Sequence, residues 1–305
     1  MTRADSDDTG LSNTDRLFRS AAFTDALQAL PGIRVSDGAA GSAFIGAQGA
    51  QLLSWQSGDG RERLYLSPTT GGATIHDDAG GEAAAIRGGI PVCFPQFSDR
   101  GELVKHGFAR NQPWRLAARH RHGATLALAS DTITARHWPH AFHAELRVAL
   151  APGALRVTLA VVNTGNVPWS FTAALHTYLR VEDIHATRLL GLDGVRYQDA
   201  TDACIVKTQD EAALSIPGEV DRVYLEPPAE LLLEEDGQPA LRILQHGFAD
   251  TVVWNPGPEK ARALRDMPDE DWLRMLCVEA ACAAAPVSLA PGECWEGGQT
   301  LMLAS

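Results

Sequence analysis

ELRVALAPGALRVTLAV, residues 145–161, decides the fold class. Leu155, Val157, Leu159 and Val161 alternate with Arg156, Thr158 and Ala160, the period of two expected of a half-buried strand. The run before it does the same, with Leu146 and Val148 set against Glu145 and Arg147. Between the two, Ala151-Pro152-Gly153 reads as a hairpin connection. Outward from this hairpin the turn residues recur: Ser57-Gly58-Asp59-Gly60, Asn163-Thr164-Gly165-Asn166, Asp236-Gly237-Gln238-Pro239, Asn255-Pro256-Gly257-Pro258 and Ala290-Pro291-Gly292. Strand-length runs lie between them at 62–66, 124–129, 241–245, 251–254 and 300–303. Long helical patterns never alternate with these runs, which disfavours a parallel βαβ sheet. No repeat of fixed period and no low-complexity linker divides the chain. The expectation is an all-β protein, one large antiparallel β-sandwich with a few short helices. One helix is expected within 17–30, stopped by Pro31-Gly32, and another around 269–273. Residues 1–16, rich in Asp and Ser, read as a disordered acidic tail, and 17–305 as a single domain.

Composition narrows the function. The chain has 305 residues, 26 of them Lys or Arg and 38 Asp or Glu, for a net charge of −12. That balance argues against nucleic acid as a partner, whose binding rests on clustered cations. It leaves room for a small phosphorylated ligand, which needs only a few local cations. The five cysteines, Cys93, Cys204, Cys277, Cys282 and Cys294, form no CxxC pair and read as buried reduced thiols in the cytoplasm. The first residues lack an apolar core for a signal peptide, and no apolar run approaches the ~18 residues that suggest a membrane span. A cytoplasmic monomer is the default expectation.

Phosphate-loop, dinucleotide and GxSxG patterns are absent. His137, His140 and His143 recur every third residue, but Pro139 would break a helix, and a strand would point His137 and His140 to opposite faces. Surface or strand-edge histidines are the simpler reading. His120 and His122, between Arg119 and Arg121, read as a basic surface patch. The densest segment is IRGGIPVCFPQFSDRGELVKHGFARNQPW, residues 86–114. Gly88-Gly89 suits a tight bend or close backbone passage to a ligand. The prolines make it unfit for a central strand. It is either a long ordered loop over a sheet edge or a site, and its arginines, with guanidinium forks suited to phosphate or carboxylate, favour a site.

The block RGGIPVCFPQF, followed by HGFAR and PW, resembles the signature of the hexose-6-phosphate mutarotases, or glucose-6-phosphate 1-epimerases, within the galactose-mutarotase-like superfamily of large β-sandwiches. Ala174-Leu175-His176-Thr177-Tyr178-Leu179 and Arg274-Met275-Leu276-Cys277-Val278-Glu279-Ala280 fit the same family, with weaker matches at 219–224 and at Trp254-Asn255-Pro256. The motifs run in the family's order from Ile86 to Ala280. The resemblance implies His176 as general acid and Glu279 as general base. It implies Arg87 and Arg110 as ligands of the sugar phosphate, His106 and Asp221 on ring hydroxyls, and Gln96 as a further contact. It implies no cofactor and no metal. After Glu279 this chain has Ala280-Ala281 where relatives often carry Pro-Gly, a departure that bears on the turn rather than on the base.

The chemistry suits these residue types. Interconverting α and β anomers removes the proton of the C1 hydroxyl and protonates the ring oxygen, opening the ring to an aldehyde that recloses on its other face. A carboxylate and an imidazole, with ordinary pKa values of about 4.3 and 6.5, serve as base and acid and exchange roles on reclosure. The simpler alternative for His176 is a core histidine satisfied by a partner; an inward Glu279 in so apolar a strand is harder to explain structurally. Phe94, Phe97 and Trp254 are candidates for the sugar site or for the core. The expected function is interconversion of aldohexose 6-phosphate anomers. A mutarotase of unphosphorylated aldoses and a non-catalytic sugar-phosphate binder are the alternatives.

Overall fold

The computed structural model describes residues 30–71 and 86–304. The expected acidic tail and the helix within 17–30 lie outside these residues. The diagnostic hairpin forms as read: Phe142–Ala151 pairs antiparallel with Ala154–Asn163, Leu146 facing Leu159 across a turn at Pro152-Gly153. Leu146, Val148, Leu155, Val157, Leu159 and Val161 are all buried, so the apolar period of two is the packed face.

The hairpin belongs to a nine-stranded sheet that also carries Gln238–His246 and Cys294–Leu303, all paired antiparallel. A second sheet has eight strands. Its order runs Ile205–Thr208, Arg196–Asp199, Val220–Leu225, Asp250–Asn255, Met275–Leu289, Trp169–Leu175 and Val92–Cys93, with Tyr178–Arg180 also on Met275–Leu289. A three-stranded sheet of Gly32–Asp37, Gly41–Gly46 and Leu52–Gln56 completes the described β-structure. Antiparallel sandwich architecture is therefore observed. Leu126, Leu146, Leu159, Phe171, Leu175 and Val278 share one core between the larger sheets.

Three local expectations change. Residues 62–66 make only isolated bridges, Glu62 to Gln56, Leu64 to Leu179 and Leu66 to Gly88, because the Glu62 carboxylate takes the backbone N–H groups of Trp55, Arg63 and Leu64. The helix around 269–273 is a single 3-10 turn, Asp271–Arg274, while Gly257–Ala263 forms a short α-helix directly after the Asn255-Pro256 turn. Of the cysteines, Cys93, Cys277 and Cys282 are buried but Cys204 and Cys294 are exposed, contrary to the expectation of five buried thiols. No helix among the described residues is long and apolar enough to cross a membrane.

Segment 86–114 is both a sheet edge and the wall of a cavity. Val92–Cys93 pairs with Leu175 and Ala174 at the end of the eight-stranded order. Gly88 and Gly89 sit at φ 117° and 61°, and a Cβ on either would come within 2.4 Å or 2.1 Å of the Tyr65 or Leu52 carbonyl oxygen. The glycines thus serve a tight passage against neighbouring backbone rather than against a ligand.

Candidate active site

Three strands of the eight-stranded sheet each offer an i, i+2 pair to one face, and a fourth adds Tyr178. Direct cross-strand partners share a face, so the register Asp221–Trp254–Cys277–Tyr178 lays one row of side chains across the sheet. The neighbouring row runs Val223–Val252–Glu279. His176 enters where pairing is interrupted: Leu175 opposes Ala280 and Tyr178 opposes Cys277, leaving His176-Thr177 between them. That irregularity is clamped from behind, as Thr177 Oγ1 donates to Gln299 Oε1 at 2.6 Å and Gln299 Nε2 donates to the Val278 carbonyl at 3.0 Å.

Above these rows lies a cavity of about 270 Å³ lined by Arg87, Lys105, His106, Arg110, His176, Tyr178, Asp221, Trp254 and Glu279, among others. Its size is at the small end of ligand pockets, about 300–1,000 Å³, and suits one small polar molecule. Five basic side chains line it, Arg87, Arg100, Lys105, Arg110 and Lys260, against three carboxyl groups, Asp99, Asp221 and Glu279. An acidic chain thus concentrates positive charge at one concavity.

His176 and Glu279 meet at its floor. Nδ1 of His176 lies 3.3 Å from Oε1 of Glu279 without hydrogen-bond geometry, and Oε2 of Glu279 has no partner. Glu279 is only 1% exposed. Burial, reinforced by the charge of Asp221, holds its carboxyl well above the usual range. Burial, together with His106, Arg110 and Arg87, pushes His176 well below the usual imidazole value. The imidazole is held flat, stacked on Tyr178 with ring centroids 4.7 Å apart and planes 7° from parallel. The Tyr178 hydroxyl in turn accepts from Arg87 at 3.3 Å.

His106 is fixed as a neutral donor. Its Nδ1 accepts the Ser98 backbone N–H at 3.2 Å, which leaves the ring proton on Nε2. Burial, then the charges of Arg110, Lys105 and Arg87, pushes its pKa down to about 3. Asp221 is raised by burial, with Lys260 and Lys105 opposing. Arg87 pairs with Asp266 at 2.8 Å; burial opposes its charge, but Tyr178 and Asp266 outweigh that and raise its pKa. Arg110 donates to the Lys105 carbonyl at 2.9 Å and keeps a buried Nε without a partner.

Six of the seven residues singled out in the sequence therefore converge on one cavity. Gln96 does not: its amide donates to the Ser98 and Leu103 carbonyls and accepts the Leu103 N–H, so it braces the loop beneath His106 instead of reaching the cavity. Of the aromatic candidates, Phe97 and Trp254 line the cavity, whereas Phe94 packs against Trp138, Phe142 and Phe171 in the core. Tyr178 and Lys105 went unassigned in the sequence, although both lie inside or beside the quoted motifs; the i, i+2 spacing of Tyr178 from His176 was the available signal. The histidine run does not gather: His137 is near Phe108, His140 near Trp169, and His143 near Glu145. Among the described residues, His176, Cys277 and Glu279 are the grouping whose ligand atoms all lie within 4.8 Å of one another.

The large antiparallel sandwich has the fold of a galactose mutarotase related enzyme from Lactobacillus acidophilus, which superposes with a TM-score of 0.71 at 15% identity over 90% of this chain and 97% of that one. Comparison with known proteins agrees. The chain belongs to the aldose 1-epimerase family, whose pattern it matches over residues 31–301. A relative from Cenchrus ciliaris, named "Putative glucose-6-phosphate 1-epimerase", is 37% identical over 264 residues, covering 82% of this chain and 77% of that one. One of the same name from Escherichia coli is 33% identical over 249 residues, covering 79% and 80%. The solved structure of "a putative mutarotase" from Salmonella typhimurium superposes with a TM-score of 0.78 at 31% identity, covering 90% of this chain and 91% of that one.

Proposed function

We propose that this epimerase interconverts the α and β anomers of aldohexose 6-phosphates, chiefly glucose 6-phosphate. The observation that carries the reading is the His176–Glu279 pair at the floor of a cavity lined by Arg87, Lys105 and Arg110. In the proposed cycle Glu279 takes the proton of the C1 hydroxyl while His176 delivers one to the ring oxygen. The ring opens, C1 turns its other face, and the two groups exchange roles to close it.

The electrostatics favour both roles. A carboxylate raised by burial is a stronger base than an exposed one, and an imidazolium lowered by burial is a stronger acid. The cycle needs one proton shared between the pair, and their 3.3 Å contact couples the two titrations. That one-proton state is the active one: acid removes activity by doubly protonating the pair, base by stripping it. Neutral His106, through Nε2–H, and Asp221 are assigned to ring hydroxyls, and Arg87 and Arg110 to the phosphate. The reading treats the sandwich over 17–305 as one domain.

One observation favours a second reading. Arg87 already pairs with Asp266, so part of its charge is answered within the protein, as a site for an unphosphorylated aldose would allow. Exchange NMR on glucose 6-phosphate and on glucose separates the two. Faster α–β exchange of the phosphorylated sugar is expected; acceleration of glucose alone would replace the proposal with the second reading, and of neither would end both.

A further inference from the structure

We propose that Cys277, His176 and Glu279 form a binding site for a thiophilic divalent cation of the zinc class, and that its occupation switches the acid/base pair off. Cys277 and Glu279 come from one strand and His176 from the interruption beside it, and their ligand atoms lie within 4.8 Å of one another. Cys277 and Glu279 are two residues apart on Met275–Leu289 and share a face, with His176 across from them at the interrupted pairing.

Two features point to a ligand rather than to packing alone. Oε2 of Glu279 and Nδ1 of His176 are buried without a hydrogen-bond partner, so a cation would satisfy both without breaking a bond. The charges also balance: a thiolate and a carboxylate cancel a dication, with neutral imidazole as third ligand and two protons, that of the thiol and that held by the His176–Glu279 pair, released to solvent. Tetrahedral zinc with Zn–N, Zn–O and Zn–S bonds of about 2.0–2.3 Å places its ligands roughly 3.3–3.8 Å apart. The group would contract by roughly 1.0–1.5 Å from its widest separation, within reach of the Glu279 side chain. Because His176 and Glu279 line the cavity, the fourth position faces it, the arrangement of three protein ligands and one open place. Sulfur and nitrogen ligands select zinc, cobalt or cadmium; magnesium and calcium require more oxygen donors than one carboxylate.

Binding rests on the geometry alone, whereas inhibition rests on the proposed roles of His176 and Glu279, and the two are read separately. Metal-free full-length protein with Cys204→Ser and Cys294→Ser, which removes the exposed thiols, is titrated with cobalt(II). One equivalent should produce a sulfur-to-cobalt charge-transfer band that zinc abolishes and glucose 6-phosphate weakens. Cys277→Ala should lose the band and Cys93→Ala keep it. Should Cys277→Ala fail to fold by circular dichroism, Glu279→Gln, which preserves shape, replaces it and should weaken cobalt binding at least tenfold; unchanged binding there would equally defeat the site. In exchange NMR, zinc should slow anomer exchange in the parent protein, and Cys277→Ala should need at least tenfold more zinc. Absence of the band in the folded parent, its survival in Cys277→Ala, or equal binding of magnesium would overturn the proposal. Exchange that is absent even in metal-free protein, with the cobalt band present, would instead remove the proposed function and leave the cation site standing.

Discussion

Replacing Glu279 by Gln separates chemistry from architecture at this site. The amide has the shape of the carboxyl it replaces, and Oε2 makes no hydrogen bond that the change would break. Burial shifts Glu279 towards its neutral form, so an uncharged amide fits the same surroundings. General base catalysis is worth about 10²–10⁴ in rate, roughly 3–5 kcal/mol at the transition state, and that loss is expected in kcat with glucose 6-phosphate. Stability should move the other way. A carboxyl whose folded pKa is raised gives its full contribution below the unfolded value and loses it as pH rises through the folded value. The wild-type protein therefore carries a growing cost for ionising buried Glu279 from about pH 4.5 upward, and the variant does not. The Tm of Glu279→Gln relative to wild type should rise from acid to neutral pH, measured by thermal melts, while exchange NMR reports the rate. Retention of exchange within about threefold of wild type would remove Glu279 as the base. Lost exchange together with a Tm depressed equally at every pH would make its role structural.

Arg87→Ala should raise the KM for glucose 6-phosphate about 10- to 100-fold, the worth of a charge-assisted hydrogen bond, with little change for glucose; equal effects on both sugars would contradict its assignment to phosphate. The rate–pH profile should be bell-shaped, and Asp221→Asn should move its alkaline limb to lower pH, because removing a like charge eases ionisation of Glu279. An unmoved limb would mean that another group titrates there. Thr177→Val should destabilise the protein by about 1–3 kcal/mol in denaturant melts, since it strands the buried Gln299 oxygen behind His176.

Much of this arrangement was legible in the chain. The alternation in 145–161 is a local property of each strand, so the sandwich class followed from it without any knowledge of pairing. The segment 86–114 brought Arg87, His106 and Arg110 together by short connection alone, and the resemblance of the later motifs supplied His176, Asp221 and Glu279. Glu279 was harder to place from the residues themselves. Met275 through Ala283 is buried throughout, so polarity does not mark which face the carboxyl takes. Gln96 illustrates the converse error: its position in a motif suggested a ligand contact, while its amide was claimed by the Ser98 and Leu103 backbone.

By itself the amino-acid sequence determined the β-rich architecture, the acidic surface and the family to which the chain belongs, because strand periodicity, charge count and motif order are all written along the backbone. Tertiary structure alone decided that Asp221, Trp254, Cys277 and Tyr178 form one row, that Tyr178 stacks on His176, and that Asp266 answers Arg87. In that row the cross-strand register joins Tyr178 to Cys277, residues far apart along the chain, and no local pattern encodes it. The protonation of the His176–Glu279 pair is likewise a product of burial, a property that exists only once the sheet has closed over both groups.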